Sequence, residues 1–213
     1  MNMMIRPFMP YMLGMDTDAW LLVVNLVLIT SITVLIAFLI GRYAANEWNG
    51  NKRKTVFCFI GISVAAVMLL CYFFGLSAST VRGIIFCLIL LLSSYSDMKT
   101  RECADYLHVM ILLAAFICRD FTELPSMLLS AMFVGGVMLL ALLLGKGRSV
   151  GGADIKLSVS CAFMLGLTQS VMGLLAGMIT AVIVNSVKNR KNKKVGFPLI
   201  PYLAAGFMAA YFI

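Results

Sequence analysis

The chain is short of charge. Of its 213 residues only 12% are Asp, Glu, Lys or Arg, against 62% hydrophobic, and its mean hydropathy is +1.00. Soluble domains carry about a quarter charged residues, so that class is excluded. There is a single histidine, His108, and H-E-x-x-H does not occur, which argues against zinc-dependent hydrolysis. The six cysteines, Cys58, Cys71, Cys87, Cys103, Cys118 and Cys161, include no C-x-x-C pair, and most lie inside apolar runs. That argues against a zinc site or a disulfide framework and marks them as small buried hydrophobes. No metal and no cofactor is expected. The apolar runs are continuous rather than alternating, which disfavours a β-barrel.

What is present is a succession of apolar runs near the length of about 20 residues that crosses a bilayer as a helix. They predict an all-α, polytopic membrane bundle of about eight transmembrane helices. The spans are expected at about 19–40, 56–74, 81–95, 104–118, 126–144, 154–165, 170–187 and 196–213. Residues 1–18 do not read as a secretory signal, because the positive charges follow the first apolar run. The fourth and sixth spans are short. At 1.5 Å per residue they reach about 20 Å, against a hydrocarbon core of about 30 Å, which leaves room for a water-filled recess at one end. In the seventh, Gly173 and Gly177 form a G-x-x-x-G match, expected to serve packing within the chain.

The net charge of +8 is unevenly placed. Arg42, Lys52, Arg53, Lys54, Lys99, Arg101, Lys146, Arg148, Lys156, Lys188, Arg190, Lys191, Lys193 and Lys194 fall in loops on one side. Arg6, Arg82 and Arg119 fall on the other. The positive-inside rule makes the first side cytoplasmic and puts both termini outside. The basic partner is then anionic lipid rather than nucleic acid.

Two acids stand at the ends of apolar runs on that same side. Asp97 follows Ser96 and precedes Met98-Lys99. Asp154 follows the small residues Gly151, Gly152 and Ala153 and precedes Ile155-Lys156. A carboxylate at a hydrocarbon boundary is costly and marks a functional site by default. Two that face each other do not both ionise easily: one holds a proton where a free Asp would not. The ionised one then takes a proton from water while the other polarises a carbonyl, which hydrolyses a peptide bond without metal or nucleophilic side chain. Asp154 is expected to open a helix, whose dipole favours its anion, and the small residues before it let a backbone approach closely. Lys99 and Lys156 do not face their own Asp, since positions i and i+2 lie on different helix sides. Each is read as snorkelling to lipid phosphates or, alternatively, as tuning the pair. His108 stands one turn from Asp105, within reach of a hydrogen bond. Asp105 is expected to steady the turn or line the cleft.

The stretch Ser96-Asp97-Met-Lys99-Thr-Arg101-Glu-Cys-Ala-Asp105 resembles the first aspartate motif of the type IV prepilin peptidases, which has Asp, a basic residue at +2 and Ile-Pro-Asn at +6 to +8. Gly151-Gly-Ala-Asp154-Ile-Lys156 resembles their second, Gly-x-Gly-Asp-x-Lys, in a form also similar to archaeal preflagellin peptidases. Gly196-Phe-Pro-Leu-Ile-Pro-Tyr-Leu-Ala-Ala-Gly206 resembles the proline-containing motif that opens their last helix. Cys103-Ala104-Asp105 departs from Ile-Pro-Asn, and Ala153 replaces a Gly.

The resemblance covers about 80–213. It implies a membrane aspartic endopeptidase that removes a short basic leader from pilin-like precursors at the cytoplasmic face, with Asp97 and Asp154 catalytic. Lys99, Gly151, Gly152, Ala153, Lys156 and Asp105 would support the site. The loop 41–55 is short and has no Cys, which implies a peptidase-only form without the methyltransferase cysteines. The chain then divides into an N-terminal helix pair, 1–79, and a six-helix peptidase core, 80–213. The competing reading is a proton- or cation-coupled transporter that uses the same two acids. Its signs, broken helices and repeated halves, are not visible. A scaffold that keeps the fold without activity is disfavoured by the presence of both acids, and a presenilin-like protease would carry them deeper in the span.

Overall fold

The computed structural model of the protein describes residues 18–117, 119, 121–145, 151–188 and 198–213. Their regular structure is entirely helical. Eight α-helices follow in order: α1 (Asp18–Glu47), α2 (Lys52–Phe74), α3 (Ala78–Thr100), α4 (Asp105–Ala115), α5 (Leu124–Leu144), α6 (Gly152–Leu165), α7 (Leu167–Lys188) and α8 (Ile200–Ala210). A single 3-10 turn, Phe121–Glu123, leads into α5. Five helices are long and apolar enough to cross a membrane: α1, α2, α3, α5 with its leading turn, and α7. The protein is a multi-pass helical membrane protein.

Helix ends differ from the apolar runs in an instructive way. The first span was expected to stop near Ile40, yet α1 runs on to Glu47. Ala44 and Ala45 carry it there, strong helix formers that are also buried. Likewise α3 does not end at Asp97 but continues to Thr100, so the charged turn expected from 97 begins at Arg101. Hydropathy marks where lipid contact stops, and helix propensity and capping decide where the helix stops. The expected basic loop 188–194 and the glycine-rich stretch 146–150 lie outside the described residues, except Lys188, the last residue of α7.

The chain divides into two compact units, 1–88 and 89–213, with α3 crossing from one to the other. In the first, α1 and α2 pack as a hairpin. The turn is tight: Asn49 has φ of 47°, and the Gly50 N–H donates to the Ala45 carbonyl at 2.9 Å. Asn51 then caps α2 by accepting from the Lys54 N–H.

In the second unit α6 is the centre, packed on α4, α5, α7 and α8. Leu157, Ser158, Cys161 and Ala162 are fully buried. Ser130 of α5 donates to the Ala162 carbonyl at 2.8 Å, a tie from one helix to the next. The closest packing is between α7 and α8. A Cβ on Gly206 would stand 2.6 Å from the Gly177 nitrogen and still nearer the Gly173 carbonyl oxygen. The G-x-x-x-G stretch of α7 therefore serves packing within the chain, against the glycine of α8.

The three short helices, α4 and α8 at 11 residues and α6 at 14, all belong to this second unit. At 1.5 Å per residue they span about 17–21 Å, well below the hydrocarbon thickness of about 30 Å.

Candidate active site

Asp97 sits in the last turn of α3 and is 6% exposed; Asp154 sits in the first turn of α6 and is 8% exposed. Two nearly buried carboxylates need partners, and each has one from the backbone. The Ile200 N–H, at the start of α8, donates to Asp97 Oδ2 at 3.1 Å. The Gly151 N–H donates to Asp154 Oδ2 at 2.9 Å. Both bonds use a helix N-terminus, where N–H groups have no partner within the helix and the dipole favours an anion. Asp154 feels the charge of Asp97. Arg101 is near enough to act on Asp97 as well.

Asp154 does not open its helix, as the sequence suggested. Gly151 is the N-cap of α6 and Asp154 the third residue inside, with its carboxylate folded back on the cap. That explains the glycine at 151. A Cβ there would stand 3.2 Å from Asp154 Oδ2. Gly152 is different: a Cβ there would meet nothing. Ala153 lies within the first turn, where helical backbone suits alanine.

Lys156 does not snorkel. Its Nζ donates to Asp105 Oδ1 at 2.7 Å, an ion pair from α6 to the first residue of α4. Asp105 is thereby engaged, and His108 does not bond to it. Both ring nitrogens of His108 are buried without a hydrogen-bond partner, as is the hydroxyl of Ser158. Lys99 lies with its Nζ 5.8 Å from the centre of the Tyr95 ring, one turn back on α3.

Residues outside the expected set also belong here. Ile200 contributes through its backbone alone, a group that no side-chain pattern announces, although Pro201 beside it signals a helix start. Cys103 follows α3 and feels the charges of Asp97, Asp105 and Asp154. Burial pushes its thiol up to about 11, and the three carboxylates push the same way against a hydrogen bond from Ser93. It is a neutral thiol at physiological pH. Among the described residues no three His, Cys, Asp or Glu side chains gather as a metal site.

Two buried aspartates at helix ends of a multi-pass helical membrane protein mark a candidate functional site. Residues 84–185 match the model of the type IV leader peptidase family, Peptidase_A24. No curated protein and no solved structure matches the chain. The matched stretch contains Asp97 and Asp154 and ends before α8, so the Ile200 contact lies beyond it.

Proposed function

We propose that the protein is a membrane aspartic endopeptidase that removes the leader of pilin-like precursors, with Asp97 and Asp154 as its catalytic pair. The observation that carries this reading is the meeting of two acids from distant stretches of the chain. They arrive from α3 and α6, interact through their charges, and each has one oxygen held by a backbone N–H. The likeness of residues 84–185 to the type IV leader peptidase family supports the class of substrate.

The chemistry follows from a pair that shares one proton. The ionised carboxylate takes a proton from a water as its oxygen attacks the scissile carbonyl. The protonated partner donates to the carbonyl oxygen, and a tetrahedral diol forms. As it collapses, the C–N bond breaks, the amine leaves with the proton taken from water, and a diol hydroxyl returns its proton to the second carboxylate. The bonds from Ile200 and Gly151 keep each side chain in one orientation, so little rearrangement is needed at the moment of reaction.

The positive-inside rule places the loops that carry both acids at the cytoplasmic face. A precursor whose apolar helix lies in the bilayer against this bundle then has its leader junction at the height of the two acids. The leader expected from the family likeness is short and basic and ends in Gly. The short helices α4, α6 and α8 leave room there for water. Co-expression with tagged pilin-like precursors from the same genome tests the reading. A shift to faster mobility that disappears in the Asp97→Asn variant is expected. An unchanged precursor with every candidate, in a protein that is folded and inserted, contradicts it and favours coupled transport.

A further inference from the structure

The segment joining α3 to α4 is tied down at both ends, and its ties lead from one aspartate to the other. After Thr100 the chain turns through Arg101, which has φ of 57°, a conformation costly for a residue with a Cβ. Its N–H donates to the Asp97 carbonyl at 3.0 Å. The Glu102 carbonyl accepts from the Ser96 hydroxyl at 2.7 Å and from the Thr100 hydroxyl at 3.3 Å. The far end of the segment is Asp105, gripped at 2.7 Å by Lys156, two residues after Asp154 on α6. Ser96 is buried and adjoins Asp97 in sequence; Lys156 is exposed and follows Asp154 closely.

We propose that residues 101–105 are a strap that sets the separation of Asp97 and Asp154, with Ser96, Asp105 and Lys156 as its positioning residues. The inference rests on reading the two acids as the reacting pair. Three features carry it. A left-handed residue is held at the α3 end, where an ordinary turn would relax. Two hydroxyls converge on one carbonyl, which fixes the direction in which the strap leaves α3. The Asp105–Lys156 pair then fixes where the start of α4 meets the start of α6. An exposed ion pair of this kind adds little to stability. Its value is register, and small errors of register are costly at a reacting centre.

The direct test is a distance measurement that needs no substrate. Cys103 is replaced by Ser and the other five cysteines by Ala, and Asp97→Cys and Asp154→Cys are introduced and bridged with a short bis-methanethiosulfonate in membranes. The parent pair should cross-link. Asp105→Ala or Lys156→Ala should lose most of the cross-link, and the swap Asp105→Lys with Lys156→Asp should restore it. Equal yields in all variants, a loss that the swap does not restore, or a parent pair that does not cross-link would each overturn the strap. In the native-cysteine protein, the same Ala variants should lower kcat on a purified tagged precursor about tenfold with KM unchanged, as expected for a misplaced catalytic group. Cleavage by Asp97→Asn at a near-native rate would instead remove the catalytic reading and leave the distance result standing.

Discussion

Helices α1 and α6 are both apolar, and they use their side chains in opposite ways. Most of α1 is exposed, with Leu21, Val24, Leu28, Leu35 and Leu39 all more than half open, so its solvent is lipid. Its threonine hydroxyls are satisfied within the helix: Thr30 and Thr33 donate to the carbonyls four residues back, at 2.7 and 2.8 Å. In α6 every residue from Leu157 on except Val159 is buried against protein, and of its polar side chains only Ser160 bonds the carbonyl four residues back, at 2.9 Å. Asp154 reaches back to Gly151, Lys156 reaches to α4, and Ser158 has no partner at all. A lipid-facing helix hides its polar atoms in its own backbone, whereas a helix built for chemistry leaves them for neighbours and water. Buried polar groups without partners are uncommon; the described residues hold them at Ser158, His108 and Ser63 of α2.

The most severe way to break this contrast is to disturb α8, which supplies the N–H to Asp97. Gly206→Leu would drive a side chain into the backbone of Gly173 and Gly177. Overpacking of a rigid contact costs about 1–3 kcal/mol or more. Reduced thermal stability in detergent and complete loss of precursor cleavage are expected. A comparable bulk added at Leu39 of α1, where the side chain faces outward, should change neither.

A milder effect separates two adjacent glycines. Gly151→Ala places a Cβ against Asp154 Oδ2 and should lower kcat about tenfold by moving that carboxylate. Gly152→Ala meets open space and should leave kcat within twofold of native. Equal effects at the two sites, measured side by side on one precursor, would mean that the Gly151–Asp154 bond is not what the glycine serves.

The smallest effects are expected at His108 and Lys99. His108→Leu removes two buried ring nitrogens that have no partner. Such a group costs about 1–3 kcal/mol when left unpaired, so melting in detergent should be unchanged or raised, with cleavage retained. A marked fall in stability would show that the imidazole is bonded in the working protein. Lys99→Ala loses only an exposed contact with Tyr95 and should keep measurable cleavage.

What could be read from the sequence follows from what each feature depends on. The apolar runs give the helices because hydropathy is a local property. Asp97 and Asp154 stand out because a carboxylate beside hydrocarbon is anomalous wherever its partner lies. The ends of α1 and α3 were misplaced because helix caps, not hydropathy, set them. The Lys156–Asp105 pair joins residues far apart in the chain, and no local pattern distinguishes it from a lysine reaching for lipid. The Ile200 bond is less legible still, since a backbone N–H carries no side-chain signature. Cys103 read as a break in a motif, yet its thiol feels the charges of three carboxylates.

The central claim is that Asp97 and Asp154 act as one unit. It is tested most directly by the cleavage rate of a pilin-like precursor with Asp97→Asn, Asp154→Asn and the double variant, each verified as folded and inserted. Asn keeps the shape of the side chain and accepts the same backbone N–H, so stability should change little. It does not ionise, so the pair loses its base or its shared proton. Each single variant should abolish cleavage, and the double variant should be no worse than either, because groups that work together are strongly non-additive. A single Asn variant that cleaves at a near-native rate, or two partial losses that multiply in the double variant, would contradict the account.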